Sequence, residues 1–142
     1  MMIGSLAITF AAIFFGAAFY LSIAEHPARQ GLPVGATLAE WKPSYQRGFM
    51  MQASIAVLSG ACGLIMWWIE GGPLWLAGAI TILANWPYTL IVMMPVNHRL
   101  EATPSESAND ETRQLLNRWG RLHWVRTILG GAATMLLLFA TR

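Results

Sequence analysis

Three histidines are the residues of this sequence best suited to chemistry, and each stands at the boundary of a long apolar stretch, on what is predicted to be one membrane face. His26 follows the first stretch, His98 follows the third, and His123 begins the fourth. Neutral imidazole is the commonest side-chain metal ligand, and it is also a general base near neutral pH. No local motif such as H-E-x-x-H specifies a metal, so the spacing leaves both chemistries open. The polar residues beside the histidines are Glu25, Asn97, Arg99 and Arg126.

Arg126 is the most unusual of these neighbours, since it stands about one turn inside an apolar stretch. An unpaired charge at membrane depth costs several kcal/mol. The side chain either extends to the interface or turns inward to Glu25 or a bound anion. Trp119, His123 and Arg126 are spaced i, i+4 and i+7, which places them on one stripe of a helix.

Two further groups of polar or aromatic residues are candidates for a site. Asn85 lies in the middle of the third apolar stretch, just before Pro87, too deep to reach the interface. It must bond another helix or line a cavity. Trp41 and Tyr45 are four residues apart, on one face of a predicted interfacial helix that Pro43 interrupts. A capping box at residues 37–40 is predicted to open that helix.

Four apolar stretches must position these residues, and they run over about 2–24, 49–69, 73–95 and 122–141. At 1.5 Å per residue each spans a hydrocarbon layer of ~30 Å. A backbone in lipid has to satisfy its own hydrogen bonds, which favours helices. The sequence therefore predicts an all-α integral membrane protein, an antiparallel four-helix bundle whose last helix begins near residue 110.

Composition limits what else the chain can be. With 142 residues, 56% of them hydrophobic and only 11% charged, we expect a single transmembrane domain over 1–142 in contact with the lipid bilayer. The lone Cys62 excludes a thiol–disulfide enzyme, which needs paired cysteines. Dispersed basic residues give no nucleic-acid footprint.

The distribution of positive charge predicts the orientation. Both termini and the Glu70–Gly72 turn belong to one face, where only Arg142 is basic. The positive-inside rule then places the two longer loops in the cytoplasm and both termini outside, in a bacterial inner (plasma) membrane. The basic residues on the loop side are Arg29, Lys42, Arg47, Arg99, Arg113, Arg118, Arg121 and Arg126.

Four short segments resemble the anthrone oxygenase-like family of small four-helix membrane proteins, many of whose bacterial members are domains of unknown function. The resemblance covers nearly the whole chain. The matching segments are His26-Pro27-Ala28-Arg29, Trp41-Lys42-Pro43-Ser44-Tyr45, Met94-Pro95-Val96-Asn97-His98-Arg99-Leu100 and Trp119-x-x-x-His123-x-x-Arg126.

The resemblance implies oxidation of a lipophilic, anthrone-type aromatic substrate by O2 without flavin, haem or metal. For that chemistry we expect His123 to be the base, followed by His98, with Arg126 and Asn97 stabilising the developing oxyanion. Trp119 and Trp124 would form flat walls for a planar ligand, or belong to an interfacial aromatic belt. The remaining predicted substrate-binding residues are His26, Trp41, Tyr45 and Asn85.

Two other functions stay open at this point, as does whether the chain is an enzyme or forms a homo-oligomer. In the first, His26, His98 and His123 with Glu25 hold copper, iron or zinc, or two histidines ligate a haem. In the second, the protein is a non-enzymatic membrane subunit that binds a lipophilic ligand or a partner protein.

Overall fold

The structure, a computed structural model, describes residues 2–142. Four long helices account for most of these residues: α1 (Met2–Gln30), α2 (Val34–Glu70), α3 (Pro73–Ala102) and α4 (Asp110–Phe139). Each is long and apolar enough to span a membrane, and no strand occurs among the residues described. The all-helical class predicted from the sequence, with four helices long and apolar enough to span a membrane, is therefore confirmed.

Two of the helices contain a π-helical turn, Leu21–Glu25 in α1 and Thr89–Met93 in α3. A proline stands two residues beyond each turn, at Pro27 and Pro95. Proline has no backbone N–H, and its ring clashes with the carbonyl four residues earlier. The helix widens just before each proline, and such widened turns are frequent at functional sites.

The region between the first two apolar stretches differs from the prediction. α2 begins at Val34 and continues through Pro43 as one helix, where a separate interfacial helix had been expected. Thr37 does not cap the start of α2, because its hydroxyl donates to the carbonyls of Arg29, in the last turn of α1, and of Leu32. Leu38 and Trp41, within the turns that precede Pro43, are fully buried and pack this part of the helix into the core.

The bundle interior changes character along its length. Ala7 and Ala11 let α1 approach α2 closely, and Ser59 donates a 2.8 Å hydrogen bond to the Ala7 carbonyl. The end that carries the α1–α2 connection instead holds a core of large side chains, and the candidate site lies against it. That core consists of Leu21, Leu38, Trp41, Met93, Val96, Leu100, Leu116 and Trp119.

Candidate functional site

His123 is 2% exposed and is held by a hydroxyl pair. Its Nδ1 lies 3.1 Å from the Ser22 Oγ, which in turn lies 2.9 Å from the Thr127 Oγ1. The π-turn of α1 carries Ser22 to this position. Among residues 2–142, no group hydrogen-bonds the other ring nitrogen, Nε2. A proton on Nδ1 donated to Ser22 would leave the Nε2 lone pair free to act as a base.

An aromatic stack fixes the plane of the His123 ring. Trp119 lies between His123 and His26, with ring centroids 5.0 Å and 5.1 Å away. The Trp41 ring meets Trp119 edge-on at 5.7 Å and stacks on Tyr45 at 4.7 Å. Aromatic pairs in such geometries add to the energy of burial. The stack therefore joins four of the predicted residues to His123 in one rigid cluster.

The Nε2 atom of His26 is occupied by a hydrogen bond to a neighbouring side chain. The Gln30 side-chain amide donates to this nitrogen at 3.1 Å. The Gln30 carbonyl oxygen Oε1 accepts from Arg113 at 2.7 Å, and Arg113 also donates to the Leu32 carbonyl. Because an amide N–H only donates, the Nε2 of His26 is an occupied acceptor. His26 is a less suitable base than His123 for this reason.

Gly120 allows the approach of His26 to α4, which gives a testable prediction. A Cβ at this position would lie 2.5 Å from the His26 Nε2 and 2.6 Å from its Cδ2. Gly120→Ala is expected to destabilise the fold by about 1–3 kcal/mol, since overpacking forces a ring out of place. Thermal unfolding in detergent measures the loss.

Gly16→Ala is the matched control, because a Cβ on Gly16 meets nothing within 4 Å. Its helix propensity should make it neutral or stabilising by up to about 1 kcal/mol. Equal midpoints for the two alanine variants would contradict the tight contact between Gly120 and His26.

Arg126 turns inward, 6% exposed, and its guanidinium carbon lies 5.5 Å from the centre of the Phe14 ring. Its Nε has no hydrogen-bond partner. Glu25, the partner considered in the sequence, instead forms an ion pair with Arg29 and accepts from Ser44 at 2.7 Å. The helix thus buries a cation without a carboxylate counterion among the residues described, which is costly unless a ligand supplies the charge.

Two buried amides from α3 also face the site. Asn97 is 1% exposed, and neither polar atom of its side chain has a hydrogen-bond partner. The Tyr45 hydroxyl is near Asn97 and Arg126. Asn85 donates to the Ile82 carbonyl at 3.0 Å, and its Oδ1 is unpartnered.

Two predicted residues lie on the outer surface. His98 is exposed, and Trp124 is 39% exposed. Each directly follows a buried residue, Asn97 and His123, and successive helical residues point about 100° apart. In each pair the helix buries the first side chain and turns the second outward, so His98 and Trp124 do not join the site.

The predicted metal set is not assembled either. His98 faces outward, Glu25 is engaged by Arg29, and the Nε2 of His26 accepts from Gln30. Over residues 2–142 no three His, Cys, Asp or Glu side chains come close enough to hold a metal ion.

Two small cavities lie along Arg126. The first, of about 20 Å3, is lined by Trp119, His123 and Arg126 on α4 and by Tyr45 and Gln52 on α2. The second is of about 10 Å3. A void needs roughly 10–15 Å3 to hold one water molecule, so both are closed to an aromatic substrate in this conformation. Arg126, Gln52 and Phe49 line both.

Four residues of the site carried little signal in the sequence. Ser22, Thr127 and Thr89 are hydroxyl residues inside apolar stretches, where a bond to the preceding turn is the ordinary role. Gln52 stands at the edge of its stretch. Polar character at one end of each stretch could have suggested them, but only the packing of helices brings them together.

Comparisons with known proteins agree on one family. A family described as anthrone oxygenase matches residues 41–136. Anthrone oxygenase tpcL of Aspergillus fumigatus is 40% identical over 53 residues, which cover 35% of this chain and 33% of that protein. An anthrone oxygenase of Claviceps purpurea is 31% identical over 110 residues, covering 68% of this chain and 62% of that protein.

The chain thus spans less than two thirds of the length of either relative. No solved structure matches it. The family match extends from Trp41 at the start of the aromatic stack, through His123 and Arg126, to Leu136. With more than half of its residues matched, the chain belongs to the anthrone oxygenase family.

Proposed function

We propose that this protein is a membrane-embedded, cofactor-independent oxygenase that oxidises a lipophilic, anthrone-type substrate with O2. The observation that carries the proposal is the pairing of His123, whose Nε2 is free, with the unpartnered Arg126 on the wall of one cavity. A base and a cation in an apolar enclosure are the groups that carbanion chemistry requires. Membership of the anthrone oxygenase family supports the substrate class.

The reaction converts a ring CH2 and O2 into a ring carbonyl and water. His123 removes one proton from the CH2. The negative charge spreads onto the oxygen of the substrate's carbonyl group, where Arg126 stabilises it. The electron-rich carbanion passes an electron to O2, and the resulting radical and superoxide combine to a peroxide that takes a proton. Loss of the second ring proton with cleavage of the O–O bond gives the carbonyl and water.

The protein's part is to hold, deprotonate and enclose the substrate. Trp119 and Tyr45 offer flat walls. Asn97 offers a second polar group near the Tyr45 hydroxyl. His98 and Trp124 have no place in this mechanism.

The substrate would arrive from the bilayer between α1 and α2. A groove of about 300 Å3 opens there, lined by Tyr20, Met51 and Arg47 among others. It shares Leu21, Ser44, Gly48 and Gln52 with the closed cavity beside His123. We expect these shared residues to separate when the ligand enters, since the cavity itself is far smaller than three fused rings.

The arrangement in the membrane is part of the proposal. The two-residue connection Gly71–Gly72 between α2 and α3 supports antiparallel neighbours, in one domain over 1–142. The positive-inside rule places the connections that follow α1 and α3 in the cytoplasm, with both termini outside, in a bacterial plasma membrane. The site then lies at the cytoplasmic end.

The experiment that tests the function is oxygen uptake by the detergent-purified protein with anthrone, using 18O2. The proposal expects one O2 consumed per anthrone, one 18O atom in the quinone and the other in water. Because anthrones oxidise slowly unaided, boiled protein provides the background rate. A rate equal to that background, across anthrones with different ring substituents, would refute the proposal.

Ser22 is expected to orient His123, and its replacement should affect turnover more than binding. Ser22→Ala removes the oxygen that lies 3.1 Å from Nδ1. We expect kcat to fall by about tenfold with KM nearly unchanged, the loss expected for one hydrogen bond. Ser22→Thr keeps the hydroxyl and should restore most of the rate, whereas a purely structural role would give KM and kcat changes together.

A further inference from the structure

Four buried polar side chains converge on the second cavity, and none of them is fully satisfied. Gln52, Asn85, Thr89 and Arg126 are 3%, 2%, 4% and 6% exposed. The atoms without a hydrogen-bond partner are the Gln52 Oε1, the Asn85 Oδ1, the Thr89 Oγ1 and the Arg126 Nε. These side chains come from three helices and line one void of about 10 Å3.

Such a cluster is unusual inside an apolar bundle. Buried polar groups are almost always hydrogen-bonded, and each exception calls for an explanation such as an absent ligand. Thr81, two turns earlier on α3, shows the ordinary arrangement, since its hydroxyl donates to the Ala77 carbonyl at 2.7 Å. Thr89 begins the π-turn of α3, and its hydroxyl has no such partner.

Size and charge limit what could fill this void. Its volume is close to that of one water molecule, so a diatomic or triatomic occupant requires the side chains around it to shift slightly. Its other walls are apolar side chains such as Phe14 and Ala56. Arg126 has no carboxylate to balance it among the residues described, so the occupant should carry negative charge. Thr89 adds a hydroxyl donor, and the Gln52 amide can present its NH2 by rotating about its last bond.

We propose that Gln52, Thr89 and Arg126 form a binding site for a small inorganic monoanion, with Asn85 beside it on the same wall, and that its occupant during turnover is superoxide. The second half of the proposal rests on the proposed function. The site adjoins the His123 cavity, because Arg126 and Gln52 line both. Oxygen would enter this void while the substrate occupies the other.

The electron balance is simple. The substrate carbanion loses one electron to O2, which becomes superoxide, and Arg126 stabilises the new charge in a site of low dielectric. The two radicals then form a carbon–oxygen bond, and the peroxide anion receives the proton that His123 had taken from carbon. The Asn85 Oδ1, an unpartnered acceptor, suits the O–H of that hydroperoxide.

Azide is the probe, because it is a small monoanion that needs no turnover. We expect sodium azide to raise the thermal midpoint of the wild-type protein in detergent saturably, at constant ionic strength with sulfate as the balancing anion. Arg126→Met should abolish the rise, and Thr89→Val should weaken azide binding by about tenfold. Thr81→Val, whose hydroxyl already bonds within its helix, is the matched control and should respond like the wild type.

No saturable shift in the wild type, or an equal shift in Arg126→Met, would overturn the anion site. In the turnover assay, azide should inhibit competitively with O2 and not with anthrone. Inhibition independent of O2 concentration would overturn the assignment to superoxide. If azide binds as expected but no anthrone is oxidised, the anion site stands and the proposed function fails.

Discussion

Replacing His123 with glutamine is expected to abolish most oxygen uptake with anthrone. The carboxamide can keep the hydrogen bond to Ser22 and much of the buried volume, but it cannot take a proton at the position of Nε2. General base catalysis contributes about 10²–10⁴-fold, so kcat should fall by at least about 10²-fold. Initial rates by oxygen electrode, corrected for the unaided reaction, provide the measurement.

His98→Gln is the matched control, since His98 is exposed on α3 and lies outside the site. It should retain the wild-type rate. A His123→Gln variant that keeps its fold and remains within a few fold of the wild type would remove His123 from the role of base. Near-UV circular dichroism of the tryptophan stack around Trp119 would show whether the fold is kept.

Replacing Arg126 with methionine is expected to raise stability while it removes activity. The variant exchanges a buried guanidinium, whose Nε has no partner, for an apolar chain of similar length. Relief of the unsatisfied group should stabilise the fold by about 1–3 kcal/mol. Arg126 is the only cation among the described residues that line the cavity. Its loss should therefore lower kcat by about 10²–10³-fold.

Arg126→Met should therefore raise the thermal midpoint and lower kcat, two changes that a general disruption of the fold would not produce together. Arg121→Met, on an exposed position of the same helix, should change neither the midpoint nor the rate by much. If Arg126→Met instead unfolds at a lower temperature, then Arg126 contributes to packing and does not await a ligand. Thermal midpoints and oxygen uptake on the same preparations decide between these outcomes.

The helical class could be predicted from the sequence because it depends only on the composition and length of each apolar stretch. Long stretches without charge can be stable in lipid only as helices or closed barrels, and their length sets the span. The stripe of Trp119, His123 and Arg126 was equally accessible, since three residues on one helix share a face by geometry alone. The structure buries all three of these side chains.

The rest of the site depends on how each helix is rotated, which the sequence does not specify. An apolar helix in lipid has no polar outer face, so its periodicity does not reveal which side meets the bundle. Asn97 and His98 were both predicted to be site residues, the first to stabilise an oxyanion and the second as a base, and packing buries only Asn97. The bonds of Ser22 to His123 and Thr127 cross more than 100 positions of sequence, beyond any local pattern.

The widened turn at Leu21–Glu25 also determines the direction in which the side chains after it point, relative to those before it. Each residue of a regular α-helix advances the direction of its side chain by about 100°. The extra residue in the π-turn keeps Ala18, Ser22 and His26, spaced by four, on one buried line. Deleting a single residue there would leave the stretch apolar and only one residue shorter, yet it would rotate the part of α1 before the turn relative to the part after it. The hydrogen bonds of Ser22 to His123 and Thr127 therefore depend on the angular register of α1.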